Sequence, residues 1–199
     1  VKKTLGEALV LGGFLVIPAV AALITLAEPI LRGLFTHGAF TANDATMATL
    51  ALVAYAVGLP GFVLVKILQP AFYAAGQPGT VLKISMVMVA ANIGGSLLLM
   101  QPFGHMGLAM ATAASGLLAA AVMLIMLAQR QKIDAATLMP LLRITAATGV
   151  MIGVILTGLE WFPAPGPVVR LCSLVAAGML AYFGAAFVFG AIPRHLFRR

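Results

Sequence analysis

Apolar residues in this chain neither alternate nor fall on one helical stripe; they run on in long blocks. Six such blocks cover about residues 8–27, 44–74, 81–100, 107–127, 144–159 and 168–192, parted by short polar or Pro/Gly-rich segments. Most reach or approach the roughly 20 residues that a helix needs to cross a hydrocarbon core. Barrel strands would instead show in–out alternation over about ten residues. The pattern predicts an all-α, polytopic membrane bundle of six transmembrane helices.

The second block departs from plain membrane filler. It contains a Gly58-Leu59-Pro60 interruption, a lysine at position 66, and Gln69-Pro70 near its end. An intramembrane proline removes a backbone hydrogen bond that lipid cannot replace. An intramembrane charge costs at least about 2.5 kcal/mol on insertion scales. Lys66 lies about 15 Å from the nearer end of its helix, close to the reach of a snorkelling side chain. Two readings of it stand side by side. It is a snorkelled or ion-paired lysine, or it is a cationic anchor for an anionic ligand group in a central cavity. Gly58 and Pro60 are the candidate hinge beside it. Asp44 is the expected cap of this helix.

Composition supports the membrane reading. The chain is 62% hydrophobic and 9% charged, against the roughly 25% charged residues of soluble domains. The net charge of +7 is explained by topology. With six spans, both termini share one side with the 75–83 and 129–143 loops. That side collects Lys2, Lys3, Lys83, Arg130, Lys132, Arg143, Arg194, Arg198 and Arg199, whereas the opposite side has Arg32 and Arg170. Positive residues mark the cytoplasmic face, so both termini are expected in the cytoplasm and no nucleic-acid partner is implied. The single cysteine, Cys172, excludes an intrachain disulfide and a cysteine zinc site. The opening Val-Lys-Lys, which leads straight into a span, is the pattern expected of a segment with an upstream part elsewhere.

Other polar positions are less distinctive. Glu28 and Arg32, four apart, share a helical face and suit an interfacial ion pair. Asn92 and Ser96 share that spacing in the third block, where small polar residues commonly glue helices together. Alanines crowd the fourth block, which points the same way. His37 and His105 are expected in loops, without carboxylate companions that would make a metal site. Trp161 suits a membrane interface. Neither a nucleophile–base set nor a Gly-rich phosphate loop occurs, so the reading is not an enzyme.

Three strings carry a family resemblance: LFTHGAFTANDA (34–45), GLPGFVLVKILQPAFYAAGQPGTVLKI (58–84) and PFGHMGLAMATAAS (102–115). They resemble the MurJ (MviN) family of lipid II flippases, and the resemblance extends over the whole chain. It implies an exporter fold of the multidrug/oligosaccharidyl-lipid/polysaccharide (MOP, MATE-like) superfamily, with two pseudo-symmetric lobes and an added pair of helices. The chain would be the C-terminal six-helix portion. Residues 1–128 would be four helices of the second lobe, 129–143 a cytoplasmic loop, and 144–199 the added pair with its basic tail. The implied function is translocation of undecaprenyl-diphosphate-linked peptidoglycan precursor across the bacterial inner membrane by alternating access. Its partners would be lipid II, membrane lipids and the N-terminal half of the same protein. The alternatives are another exporter of the superfamily, for a polysaccharide lipid or a drug, and a non-transporting membrane fragment. By resemblance Lys66, with Glu28 and Gln69, forms the substrate-binding set, and the last two helices form a groove for the polyprenyl tail. Some relatives hold a monovalent cation on an Asn, an acid four residues later and a Thr of the next helix. Asn92 and Thr112 match that set, but Ser96 stands in the acid's place. No other cofactor is implied.

Overall fold

A computed structural model describes residues 2–35, 41–130, 138–161 and 166–191. They form six helices in chain order: α1 (Lys2–Phe35), α2 (Ala42–Ala74), α3 (Pro78–Phe103), α4 (His105–Arg130), α5 (Leu138–Trp161) and α6 (Pro167–Val188). Each is long and apolar enough to span a bilayer. The chain is a multi-pass membrane protein, and the all-helical expectation holds.

Most helices extend beyond the apolar blocks, because they persist past the hydrocarbon until water can meet their terminal backbone groups. Helix α2 ends at Ala74 as expected, and α6 stops short of residue 192, at Val188, where Gly190 turns the chain at φ +60°. Pro29, expected to lead out of the first span, lies inside α1, which continues to Phe35. Pro78 opens α3 at its first turn, where the missing amide costs nothing, and Gly76 makes the turn at φ +68°. The 101–105 segment is not a loop. Only Gly104, at φ +55°, separates α3 from α4, and His105 is already helical. Residues 129–130 belong to α4 and 138–143 to α5, inside the expected 129–143 connection. Asp44 is not the cap of α2. Thr41 is the N-cap, and Asp44 sits three residues on in a capping box, accepting from the Thr41 amide at 2.9 Å. His37, Lys132 and the tail residues Arg194, His195, Arg198 and Arg199 lie outside the described residues.

The Gly58-Leu59-Pro60 stretch does not break its helix; α2 is continuous through Pro60 and Pro70. Its glycines serve close packing instead. A methyl group on Gly58 would lie 2.6 Å from Ala113 Cα, and one on Gly61 2.6 Å from the Leu117 nitrogen. The Phe62 ring occupies the space beside Gly116. Backbones therefore approach closely enough for many weak dispersion contacts, the main glue between helices in lipid. The buried Ala109, Ala113 and Ala120 share this side of α4, while Ala111 meets Gly95 of α3. As a result α4 lies between α2 and α3, and α2 meets α3 only marginally despite the short turn joining them.

Buried residues form two clusters. One joins Val65, Leu68 and Phe72 of α2 to Val81 of α3 and Met123 and Leu127 of α4. The other joins Phe14 and Leu26 of α1 to Ile144, Met151 and Ile155 of α5 and Leu174 and Tyr182 of α6. Helix α1 also packs along α2, so it ties the clusters together.

One hydrogen bond explains how α1 carries a proline at mid-span. Pro18 has no amide to donate to the Phe14 carbonyl four residues back. The buried Tyr182 hydroxyl of α6 donates to that carbonyl at 2.6 Å. Phe14, Tyr182 and Phe183 stack around the bond, with ring centroids 5.4 to 6.2 Å apart. Tyr182→Phe is expected to cost about 1 kcal/mol in unfolding of the purified protein. Adding Pro18→Ala should recover most of that loss, since residue 18 then supplies its own amide; equal effects of Tyr182→Phe in both backgrounds would refute the pairing. Gly58→Ala should force α2 and α4 apart and cost about 1–3 kcal/mol in the same assay.

Candidate functional site

The packing of α2 decides which of its faces stays open. Val65, Leu68 and Phe72 turn inward, which leaves Lys66 on the opposite side. At 100° per residue, Tyr55, Lys66 and Tyr73 share that side and Gln69 flanks it, whereas the Phe62 ring turns to Gly116 of α4. Lys66 is exposed, Gln69 is half-buried, and Tyr55 and Tyr73 are 42% and 52% exposed. Pro70 adds a further polar feature, because it withholds the amide that would bond the Lys66 carbonyl. The result is a cationic stripe bordered by aromatic rings and bearing an amide. Such a stripe suits an anionic, hydroxyl-rich ligand. Lys66 makes no ion pair among the described residues.

Glu28 does not join this group. It pairs with Arg32 at 2.9 Å on α1, and both side chains are 61% exposed. They border a cavity of about 490 Å³ that also touches Thr49 of α2, Leu159 of α5 and Arg170 of α6. Thr49 and Lys66 are seventeen residues apart on one helix, which separates the cavity from Lys66 by about 25 Å along the axis. The expected set of Lys66, Glu28 and Gln69 is thus two places, at opposite ends of α2.

Asn92, Ser96 and Thr112 do come together, across the α3–α4 contact. Ser96 and Thr112 hydroxyls both donate to Asn92 Oδ1, at 3.3 and 3.2 Å. Thr112 also reaches the Leu108 carbonyl at 2.9 Å. Gly95 lets the helices close here, its added Cβ falling 3.2 Å from Ala111. Four oxygens converge without a carboxylate, and the amide oxygen already accepts two hydroxyl protons. That arrangement joins helices well and offers a hard cation little charge. Among the described residues no three His, Cys, Asp or Glu side chains group as metal ligands.

Two participants escape a reading of the sequence. Tyr182 carries no motif, and only the i−4 arithmetic from Pro18 would have raised the need for a donor. Arg170 is the other. Its Nη2 donates to the Leu159 carbonyl at the end of α5, and its buried Nε has no partner among the described residues. The available signal was its membership, with Arg32, of the pair on the side poor in basic residues.

Fold and site together define a class: a polytopic α-helical membrane protein with a cationic, aromatic-bordered face at intramembrane depth. Comparison with known proteins gives the family. The model of "Lipid II flippase MurJ" matches residues 1–177. A probable lipid II flippase MurJ of Rhizobium meliloti (strain 1021) is 32% identical over 94% of this chain, and one of Rhizobium tropici 33% identical over 94%. A solved structure described as lipid II flippase MurJ in an inward closed conformation superposes with a TM-score of 0.76 at 25% identity, covering 98% of this chain. The chain belongs to the lipid II flippase MurJ family. It spans 37% of the length of those two relatives and 39% of the solved chain.

Asn92→Ala should lower stability by about 1 kcal/mol, because Thr112 across the helix seam and Ser96 on the same helix both lose their acceptor. Exchange of sodium for potassium at constant ionic strength should leave the melting temperature of the purified protein unchanged. A sodium-specific rise that Asn92→Ala abolishes would instead mark a cation site.

Proposed function

We propose that this segment serves as the C-terminal portion of a flippase that moves lipid II from the inner to the outer leaflet of the bacterial inner membrane. The observation that carries this reading is the open Lys66 face of α2. A lysine at this depth cannot be left against acyl chains, so its face needs protein or water opposite it. In relatives the remaining length of chain is available to supply that facing wall. The cavity so formed would shelter a diphosphate, sugar and peptide head that hydrocarbon alone excludes.

In this mechanism Lys66 supplies a mobile ammonium for the anionic groups of the head. Gln69 adds amide hydrogen bonds for hydroxyls and peptide groups, and Tyr55 and Tyr73 offer rigid faces for sugars. Binding in a central cavity and rocking of one lobe against another exchanges access between leaflets. The first four helices belong to a lobe in this reading, and α5 and α6 are the appended pair that holds the polyprenyl tail. Gly58 and Pro60 mark the place where α2 yields most readily to bending. The distribution of Lys and Arg favours cytoplasmic termini for the segment. The process is transport without covalent chemistry, coupled to peptidoglycan synthesis.

The test uses the protein as its host makes it. Lys66→Ala should fail to support growth of a flippase-depleted strain at normal membrane levels, while Lys66→Arg should retain partial function. Full support of growth by Lys66→Ala would remove the lysine from the mechanism.

A further inference from the structure

We propose that the cavity between the outer ends of α1, α2, α5 and α6 binds the phosphate of an anionic phospholipid headgroup, with Arg32 and Arg170 as its cationic contacts. The proposal rests on this cavity and stands apart from the Lys66 reading. The two arginines are the only basic residues that the six-span topology leaves at this end of the bundle, and they are 138 residues apart in sequence. The fold nevertheless brings both to one cavity of about 490 Å³. Gly33 lies against the start of α6, where a Cβ would sit in ordinary van der Waals contact, 3.7 Å from the Pro167 carbonyl oxygen. The end of α1 and the start of α6 therefore meet backbone to backbone.

Three features give the cavity its preference for a phosphate. Glu28, Arg32 and Arg170 sum to one positive charge, which a phosphodiester monoanion would neutralise. Helix α6 begins at Pro167 behind Gly166, with no side-chain cap hydrogen bond; Pro167 has no amide and the Arg170 amide bonds the Gly166 carbonyl, so the Val168 and Val169 amides and the positive dipole end are what this terminus offers. Arg170 is already held by the Leu159 carbonyl, which fixes its guanidinium at the rim at little further entropic cost. Apart from Thr25 and Thr49 the remaining wall is apolar, with Ile24, Leu159, Leu171 and Leu174. Val168 and Val169 in the first turn of α6, and Trp161 at the end of α5, are exposed apolar groups at the same end of the bundle. A free phosphate would gain nothing from these walls, whereas a lipid lays its chains along them. The occupant is therefore a lipid, seated in the leaflet at this end of the bundle. Because Glu28 is engaged with Arg32, the cavity favours a net anionic head over one carrying its own ammonium.

Native mass spectrometry of the protein as its host makes it, delipidated and reloaded with phosphatidylglycerol or phosphatidylethanolamine, tests this. Wild type should retain phosphatidylglycerol preferentially. Arg32→Gln should lower that retention about tenfold, with the melting temperature reporting that the fold is kept. Glu28→Gln should raise it, by adding one unit of positive charge to the cavity. Arg170→Lys should lower it while the melting temperature reports whether the α5–α6 end stays folded. Unchanged retention in both Arg32→Gln and Glu28→Gln overturns the site. Equal retention of phosphatidylethanolamine, or displacement of the lipid by millimolar inorganic phosphate, overturns the anionic-lipid assignment.

Discussion

The hydrogen bond from Tyr182 to the Phe14 carbonyl states the constraint under which this whole molecule is built. Inside a membrane every backbone group must find its partner within the protein, because the solvent offers none. Pro18 breaks that rule locally by withholding one amide, and a side chain from another helix restores it. The repair has a structural consequence. It binds α1 to α6, and the aromatic stack around the bond helps to build the cluster that α1 shares with α5 and α6. A local defect in one helix thus becomes a specific contact between elements far apart in the chain.

The α2–α4 seam obeys a second consequence of the same solvent. Burial of apolar groups from water does not hold helices together where the surroundings are already apolar, so close approach must do so. Gly58, Gly61 and Gly116 permit that approach, and the alanines of α4 complete it. Once this seam is set, the orientation of α2 is set, and the Lys66 side must face away. The residue that carries the proposed function is therefore placed by glycines on other faces of its own helix.

Polar chemistry sits at two levels of the bundle. Lys66 and Gln69 occupy the half of α2 nearer its end at Ala74, while Glu28, Arg32 and Arg170 gather at the opposite end. A third group, Asn92 with Ser96 and Thr112, is satisfied within itself and reads as a joint between α3 and α4. Family membership fits this division, since relatives named as lipid II flippases are matched over nearly all of the chain. The levels need no common ligand. One faces the proposed transport cavity, and the other lines the cavity proposed to seat an anionic lipid.

Much of this was legible in the residues alone. Unbroken apolar blocks determined six membrane helices, because length and hydropathy suffice when the solvent forbids other backbone arrangements. Spacing brought Glu28 to Arg32 and Asn92 to Ser96, while Thr112 joined that group only through the family resemblance. Helix ends were legible only roughly, since Pro78 and Pro102 sit within the first and last turns of α3 and Pro29 lies inside α1, six residues before its end. Only the tertiary structure decided that Gly58 and Gly61 are packing positions in a continuous helix, that Glu28 stands apart from Lys66, and that Arg170 joins Arg32. Those outcomes depend on which faces of distant helices meet. Periodicity within one helix specifies an apolar surface, but in a chain apolar on nearly every face it does not say which neighbour covers it.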